Sequence, residues 1–270
     1  MTLISLCPLT VLPCSPLEQI DAAAAANYDA IGLRLARSLP SDGDIVADRG
    51  LCWAIERRLT DTRMRVLDIE VARVVPTSDL SVLEPLLAFG TRVGARYIQV
   101  TGGLRTDSTL GDDEALLPKM QELADRAAAH GMSLALEFIF FRSLRSLSQA
   151  LDLRERSGRD NIRVTIDALH FMRSGGTPAD LAAVDPAAFA CFHISDGPTI
   201  PGQDLAHEAR YGRLMPGEGE LPLAEMIAVL PENLPIGVEV PCSGNEGVTP
   251  VQKAAAALVA TKQMLAMAGR

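Results

Sequence analysis

The sequence predicts an α/β fold, a single (β/α)8 TIM barrel in which eight parallel strands are each followed by a helix. Short, apolar, β-prone runs alternate with longer segments of helical periodicity, and eight such units fit into 270 residues. Acidic or imidazole side chains also end four of the later runs, where barrels carry their functional groups. We expect residues 1–270 to form one domain.

The strands are predicted from apolar runs of four to seven residues, each of which precedes a loop. In chain order they are Leu3–Leu6, Ala30–Leu33, Arg65–Val71, Tyr97–Thr101, Ser133–Phe138, Arg163–Asp167, Ala190–Ile194 and Ile236–Val240. A doubly wound open sheet would compete with the barrel, but it needs a glycine-rich turn after the first strand. Prolines stand there instead, at Pro8, Pro13 and Pro16.

The helices are predicted from amphipathic segments between these strands. They are Pro16–Ala26, Gly50–Asp61, Asp79–Val93, Asp113–His130, Leu144–Ser157, Thr177–Ala183, Leu221–Leu230 and Pro250–Met267. Ser15 and Glu18 have the spacing of a capping box, with proline at the first helical position. Gly131 follows a helix as a C′ glycine should. The longest loop, residues 195–220, is of a length typical of a lid or binding loop.

Composition limits the classes of partner. The net charge is −9, which argues against a nucleic-acid surface and fits a small-molecule ligand. No apolar stretch approaches the roughly 18 residues of a membrane span, and the start lacks the pattern of a signal peptide. The five cysteines are odd in number and have no CxxC spacing, which indicates reduced thiols. We therefore expect a cytoplasmic protein that does not associate with membranes.

Four residues at strand ends predict a metal site. Glu137, Asp167, His193 and Glu239 each end one of the last four predicted strands. Three carboxylates and one imidazole at the C-terminal ends of parallel strands make an oxygen-rich site for one divalent metal ion. The donor set suits Mn²⁺, Mg²⁺, Co²⁺ or Zn²⁺, and the sequence does not choose among them.

Four further residues have alternative interpretations. His170 is either a buried histidine at a strand-to-helix turn or a substrate hydrogen-bond donor. Arg213 is either a clamp for substrate oxygens or a surface arginine. Asp196 could orient His193, bind the metal or cap a loop. Glu70 either points into the site as a substrate-binding residue or pairs with Arg34 of the adjacent strand.

The segments TIDALHF, FHISD, RLMPGEGELPL and GVEVP resemble the xylose isomerase-like TIM-barrel superfamily, and within it the branch of inosose isomerases and sugar-phosphate isomerases and epimerases. The resemblance implies that Glu137, Asp167, His193 and Glu239 bind the metal and that His170 and Arg213 hold substrate oxygens. It also implies that Glu137 and Glu239 exchange protons with the carbon next to a substrate carbonyl. A homodimer or higher homo-oligomer is implied by the resemblance alone.

The leading prediction is therefore a metal-dependent isomerase or epimerase of a keto-sugar or cyclic polyol ketone. The alternative is a dehydratase of the 3-dehydroshikimate or inosose type, because loss of a β-hydroxyl from the same enolate gives a lyase. A second alternative is a non-catalytic barrel that binds a metabolite. The hydride-shift mechanism of true xylose isomerases is disfavoured, since no histidine precedes His130. Few cations stand on the site strands, which favours an unphosphorylated substrate.

A DNA-repair endonuclease of the same superfamily is disfavoured by the four histidines and the acidic net charge. A Schiff-base aldolase is disfavoured because no predicted strand ends in lysine.

Overall fold

Eight parallel strands form a closed barrel in sequential order. The computed structural model describes residues 2–36, 44–104, 113–241 and 247–270. The barrel closes where β1 pairs in parallel with β8, which confirms the predicted (β/α)8 architecture. The strands are β1 Ile4–Leu6, β2 Ala30–Arg34, β3 Arg65–Val74, β4 Tyr97–Gly102, β5 Ser133–Glu137, β6 Ile162–Asp167, β7 Phe189–Ile194 and β8 Ile236–Val238.

Helices connect these strands. They are α1 Pro16–Ala26, α2 Arg49–Thr62, α3 Glu84–Arg92, α4 Asp113–Ala129, α5 Leu147–Ser157, α6 Ala168–Arg173, α7 Pro178–Ala182, α8 Leu205–Tyr211, α9 Leu223–Val229 and α10 Pro250–Met267. Ser15 and Glu18 form the predicted capping box, and Gly131 adopts the positive φ (73°) of a C′ glycine.

The structure corrects three predicted boundaries. The helix predicted over Asp79–Val93 begins as a 3₁₀ turn, Leu80–Leu83, because Asp79 accepts a hydrogen bond from the Ser81 N–H. The helix predicted from Leu144 begins at Leu147, because the Ser146 hydroxyl caps it at Gln149. The predicted long loop at 195–220 contains α8, whose first turn is capped by Asp204.

The barrel interior changes from apolar to polar along the strands. A small apolar cluster fills the N-terminal part of the interior and includes Ala30, Leu67, Tyr97, Ala135 and Cys191. Further along, the inward positions carry polar side chains, because successive side chains of a strand alternate between its two faces. The leucine, isoleucine, valine and alanine core between strands and helices stabilises this arrangement.

The four described cysteines, Cys7, Cys14, Cys52 and Cys191, are free thiols, and Cys242 lies outside the described residues. Within the part of the chain that the structure describes, no helix combines the length and the apolar character needed to cross a bilayer.

Candidate metal centre

Glu137, Asp167, His193 and Glu239 meet at one end of the barrel. Each offers one ligand atom, and these atoms all lie within 4.8 Å of one another. Glu137 and Asp167 are the last residues of β5 and β6, His193 lies one residue before the end of β7, and Glu239 directly follows β8. Parallel strands of a closed barrel bring their C-terminal ends to the same face, so residues far apart in sequence converge.

The imidazole of His193 directs one ring nitrogen towards two of the carboxylates. Its Nδ1 lies 3.5 Å from Glu137 Oε1 and 3.6 Å from Glu239 Oε2. This nitrogen is buried and has no hydrogen-bond partner among the described residues. Buried polar atoms in proteins are normally satisfied, and a cation among the carboxylates would satisfy this one. One nitrogen and three carboxylate donors fit a divalent first-row metal.

The other ring nitrogen of His193 faces the interior of the barrel. The Gln99 side-chain amide lies 3.4 Å from His193 Nε2, and its oxygen accepts a hydrogen bond from the Thr165 hydroxyl at 2.9 Å. β4 and β7 are not neighbours, so this contact crosses the interior. This polar contact behind the ring restrains the orientation of the imidazole.

Arg213 supplies positive charge directly beside two of the carboxylates. Its guanidinium makes an ion pair with Asp167 and lies 3.3 Å from Glu239 Oε2, and all three side chains are buried. Burial alone would raise the pKa of Asp167 and of Glu239, but Arg213 outweighs burial and holds both pKa values below their usual range. Both groups are therefore ionised near neutral pH, as metal ligands must be.

A second pair of acids lies on β3. Asp68 and Glu70 are buried, and their carboxylate oxygens lie beside Gly32 of the neighbouring strand. Burial raises the pKa of Asp68 to about 6, and burial together with the Asp68 charge raises the pKa of Glu70 well above its usual range. Arg34 approaches Glu70 only to 3.8 Å. Glu70 contacts Arg34 and also lines a cavity at this end of the barrel. The structure therefore agrees with both interpretations of Glu70 that the sequence offered.

His170 is buried in the first turn of α6, directly after β6, so it lies at the junction of strand and helix as the sequence suggested. Its backbone N–H donates to Asp167 Oδ1 at 2.8 Å, so the cap of α6 also positions a carboxylate of the site. Burial lowers the pKa of His170. Its Nδ1 has no hydrogen-bond partner among the described residues, and its ring packs against Phe140 and Phe141.

Asp196 organises a loop. It is not part of the cluster of Glu137, Asp167, His193 and Glu239, called the ligand cluster below. Its Oδ1 accepts hydrogen bonds from the backbone N–H groups of Gly197 and Leu221, and its Oδ2 accepts one from Gly217. Among its three alternatives, the structure therefore selects the loop cap. By fixing residues 214–221 it holds the segment that follows Arg213.

Sequence reasoning missed Asp68 and Cys7. Asp68 stands two residues before Glu70 in an apolar strand, and that period-2 spacing was the available signal that both face the interior. Cys7 directly follows β1, and its sulfur lies within 4.8 Å of ligand atoms of His193 and Glu239. Burial raises the pKa of the Cys7 thiol well above its usual value.

The ligand cluster opens into a cavity of about 830 Å³. Glu137, Glu239, His170, Arg213 and Glu70 line it, so every residue that the sequence assigned to catalysis or substrate binding faces this space. Such a cavity is large enough for a small polar ligand. The arrangement can place a ligand between the ionised Glu239 carboxylate, the His170 imidazole, whose pKa burial lowers, and the Arg213 guanidinium.

Comparison with known sequences identifies relatives of this chain. The sequence model of the family described as Xylose isomerase-like TIM barrel matches residues 20–261. An inosose isomerase of Halalkalibacterium halodurans is 32% identical over 115 residues, which cover 42% of this chain and 40% of the relative. A 3-dehydroshikimate dehydratase of Pseudomonas aeruginosa is 25% identical over 221 residues, which cover 78% of this chain and 33% of the relative. The match thus spans less than half the length of either curated relative.

Solved structures share the fold. The IOLI protein with a bound zinc atom superimposes with a TM-score of 0.85 at 18% identity, over 98% of each chain. A D-allulose 3-epimerase from Methylomonas sp., solved with D-allulose, has a TM-score of 0.71 at 18% identity, over 97% of each chain. A divalent metal ion and a sugar ligand are thus present in structures that share this architecture.

Proposed function

Because the chain belongs to the xylose isomerase-like TIM barrel family, we propose that it is a metal-dependent isomerase or epimerase of a small polyhydroxylated ketone. The observation that carries the proposal is the cluster of Glu137, Asp167, His193 and Glu239, with ligand atoms within 4.8 Å of one another and an unpaired His193 Nδ1 among them. These four residues would hold one divalent ion, with Mn²⁺, Mg²⁺, Co²⁺ and Zn²⁺ as the candidates.

The bound ion would supply Lewis acidity, which stabilises the negative charge that develops when a carbon next to a carbonyl loses its proton. Glu137 and Glu239 would take that proton and return it. Return to the opposite face of the same carbon gives an epimer, and return to the neighbouring carbon gives an isomer. His170, Arg213 and Glu70 would hold the substrate oxygens from the walls of the cavity. Arg213 would also keep Asp167 and Glu239 ionised.

A dehydratase is the second candidate. The same proton abstraction, followed by departure of a β-hydroxyl as water, would eliminate water from a hydroxy ketone. The observation that favours it is the alignment with 3-dehydroshikimate dehydratase, which covers 78% of this chain. A non-catalytic, metabolite-binding barrel is the third candidate. The predicted homo-oligomer and cytoplasmic location remain predictions.

The test is proton–deuterium exchange followed by NMR in D₂O. The protein would be loaded in turn with each candidate metal and mixed with D-allulose, an inosose and 3-dehydroshikimate, with an EDTA-treated sample as the control. We expect metal-dependent exchange next to the carbonyl of at least one compound. Product signals would then separate isomerase from dehydratase. Binding of a compound without exchange under every metal would favour the non-catalytic barrel and contradict the proposed function.

A further inference from the structure

The cavity above the metal centre is lined by cations, although the chain as a whole is acidic. The net charge is −9. The described residues that line the cavity nevertheless include six cationic side chains and three carboxylates. The cationic residues are Arg34, Arg73, Arg142, Arg210, Arg213 and Lys253, and the carboxylates are Glu70, Glu137 and Glu239. Among the described lining residues, positive charge thus predominates, whereas the chain as a whole is acidic.

The cations reach the cavity from many parts of the barrel. Arg34 and Arg73 lie at the C-terminal ends of β2 and β3, and Arg142 lies in the segment after β5. Arg210 is on α8 and Lys253 is on α10. The expectation of an unphosphorylated substrate was based on the scarcity of cations on the site strands, and helices and loops supply most of those that the structure shows. The structure therefore removes the reason for expecting an unphosphorylated substrate.

These cationic side chains differ in whether they already pair with a carboxylate. Arg213 is buried against Asp167 and Glu239, and Arg34 is near Glu70. Arg73 and Arg210 are exposed, and neither side chain makes a hydrogen bond or ion pair with another described residue. Because both residues line the cavity and no described residue engages their side chains, these two arginines are well placed to meet a ligand.

A guanidinium group presents paired N–H donors that match the two oxygens of a carboxylate or phosphate. A neutral sugar gains little from two such groups at the cavity wall, whereas an oxyanion gains charge-assisted hydrogen bonds. The carboxylates of the cavity are concentrated in the proposed metal site and at Glu70 beside it. Arg213 and Arg34 pair with these carboxylates, which leaves Arg73 and Arg210 to meet a charged group of a ligand.

We propose that the substrate carries an oxyanion, a carboxylate or a phosphate, which Arg73 and Arg210 bind while its hydroxy ketone lies over the metal centre. This inference rests on the proposed function, because it assigns the hydroxy ketone to the metal site. It extends that function by adding a charged group to the ligand, separate from its hydroxy ketone. It also assigns substrate specificity to two residues outside the ligand cluster.

Two matched pairs of compounds test the charge alone. The first pair is 3-dehydroshikimate and its methyl ester, and the second is D-allulose 6-phosphate and D-allulose. Binding to the Mn²⁺-loaded protein would be measured by calorimetry, and exchange would be followed in the same samples. We expect the anionic member of one pair to bind about tenfold tighter or more than its neutral partner. The pair that shows this difference in affinity identifies the anion as a carboxylate or a phosphate.

Variants then locate the recognition. Arg73→Gln and Arg210→Gln should each reduce the difference in affinity between the anionic and the neutral compound of that pair. The double variant should abolish this difference. Arg65→Gln is the matched control, because Arg65 is an exposed arginine at the opposite end of β3. It should leave the gap unchanged. Higher ionic strength should weaken binding of the anionic member only.

Equal binding within both pairs, or no binding of any of the four compounds, would overturn the inference. A gap that survives the double variant would overturn the assignment to Arg73 and Arg210. Failure of the proposed function has a different signature, which is an absence of metal-dependent exchange with every compound. Exchange on neutral and anionic members at equal rates would retain the function and refute the anionic substrate.

Discussion

Two sets of buried carboxylates lie in the same barrel, and they differ in their nearest cation. Asp167 and Glu239 contact Arg213, which holds their pKa values below the usual range. Asp68 and Glu70 lie on β3, where Arg34 lies 3.8 Å from Glu70, and burial raises both pKa values. Burial acts on both sets, so the difference follows from how strongly a cation opposes it: Arg213 outweighs burial at Asp167 and Glu239, whereas burial and the Asp68 charge outweigh Arg34 at Glu70. The charged set is the one that could hold a metal ion.

The largest expected effect compares one carboxylate from each set. Glu239→Gln removes a charged ligand and proton carrier, so we expect exchange to fall by roughly a thousandfold. Glu70→Gln replaces a carboxyl whose pKa is already raised with an amide of the same shape, so we expect less than about a tenfold loss. Exchange rates of both metal-loaded variants check this. Similar losses of exchange rate in the two variants would contradict a functional difference between the two sets of carboxylates.

The next effect concerns stability. Arg213→Met would leave Asp167 and Glu239 buried without their cation, and we expect a loss of about 3–5 kcal/mol in the free energy of unfolding. Urea unfolding in EDTA measures it. Arg57→Met is the control, because Arg57 is exposed and its pair with Asp61 is worth little. Added Mn²⁺ should recover part of the lost stability if the carboxylates bind it. An unchanged midpoint would show that Arg213 does not compensate these charges.

The third effect depends on pH. The pKa of Asp68 is raised to about 6 in the folded protein, so the folded state binds the proton more tightly than the unfolded state. The contribution of Asp68 to stability is complete below about pH 4 and is lost as the pH rises through about 6. Asp68→Asn should therefore stabilise the metal-free protein by up to about 3 kcal/mol near pH 8, with little gain near pH 4. A gain that does not vary with pH would contradict the raised pKa.

The smallest expected effect tests whether Gln99 positions the imidazole ring of His193. Gln99→Leu should weaken metal binding by about 10-fold to 100-fold, because the amide partner of Nε2 is removed while all four proposed ligands remain. Equilibrium dialysis against the metal measures this. Gln121→Leu, on the outer helix α4, is the control and should leave affinity unchanged. Equal affinities in the two variants would exclude a positioning role for Gln99.

The sequence predicted the barrel because strand and helix periodicities are local. Residues at strand ends could be grouped on the same grounds, since the barrel topology itself brings Glu137, Asp167, His193 and Glu239 to one face. Contacts across the barrel could not be predicted in this way. The pairing of Arg213 with Asp167 depends on how the segment around α8 folds back, and the contact of Gln99 with His193 depends on β4 lying across the interior from β7.

Cations of the cavity wall were missed for a related reason. Arg210 and Lys253 lie on helices, where a charged residue usually faces solvent, and nothing in their local sequence indicates that they line a cavity. Asp68 is a different case, because its spacing from Glu70 was visible. The significance of Asp68 became clear only with the structure, in which burial raises the pKa of Asp68 despite the opposing effects of the nearby His193 and Gln99.

The most direct test of the account is the metal content of the protein. Elemental analysis after loading and desalting would be run on the native protein and on Asp167→Asn and His193→Ala, with circular dichroism to verify folding. The account predicts about one divalent ion per chain in the native protein and little in either folded variant. No bound ion in the native protein, or the same content in all three, would contradict a metal centre at these strand ends.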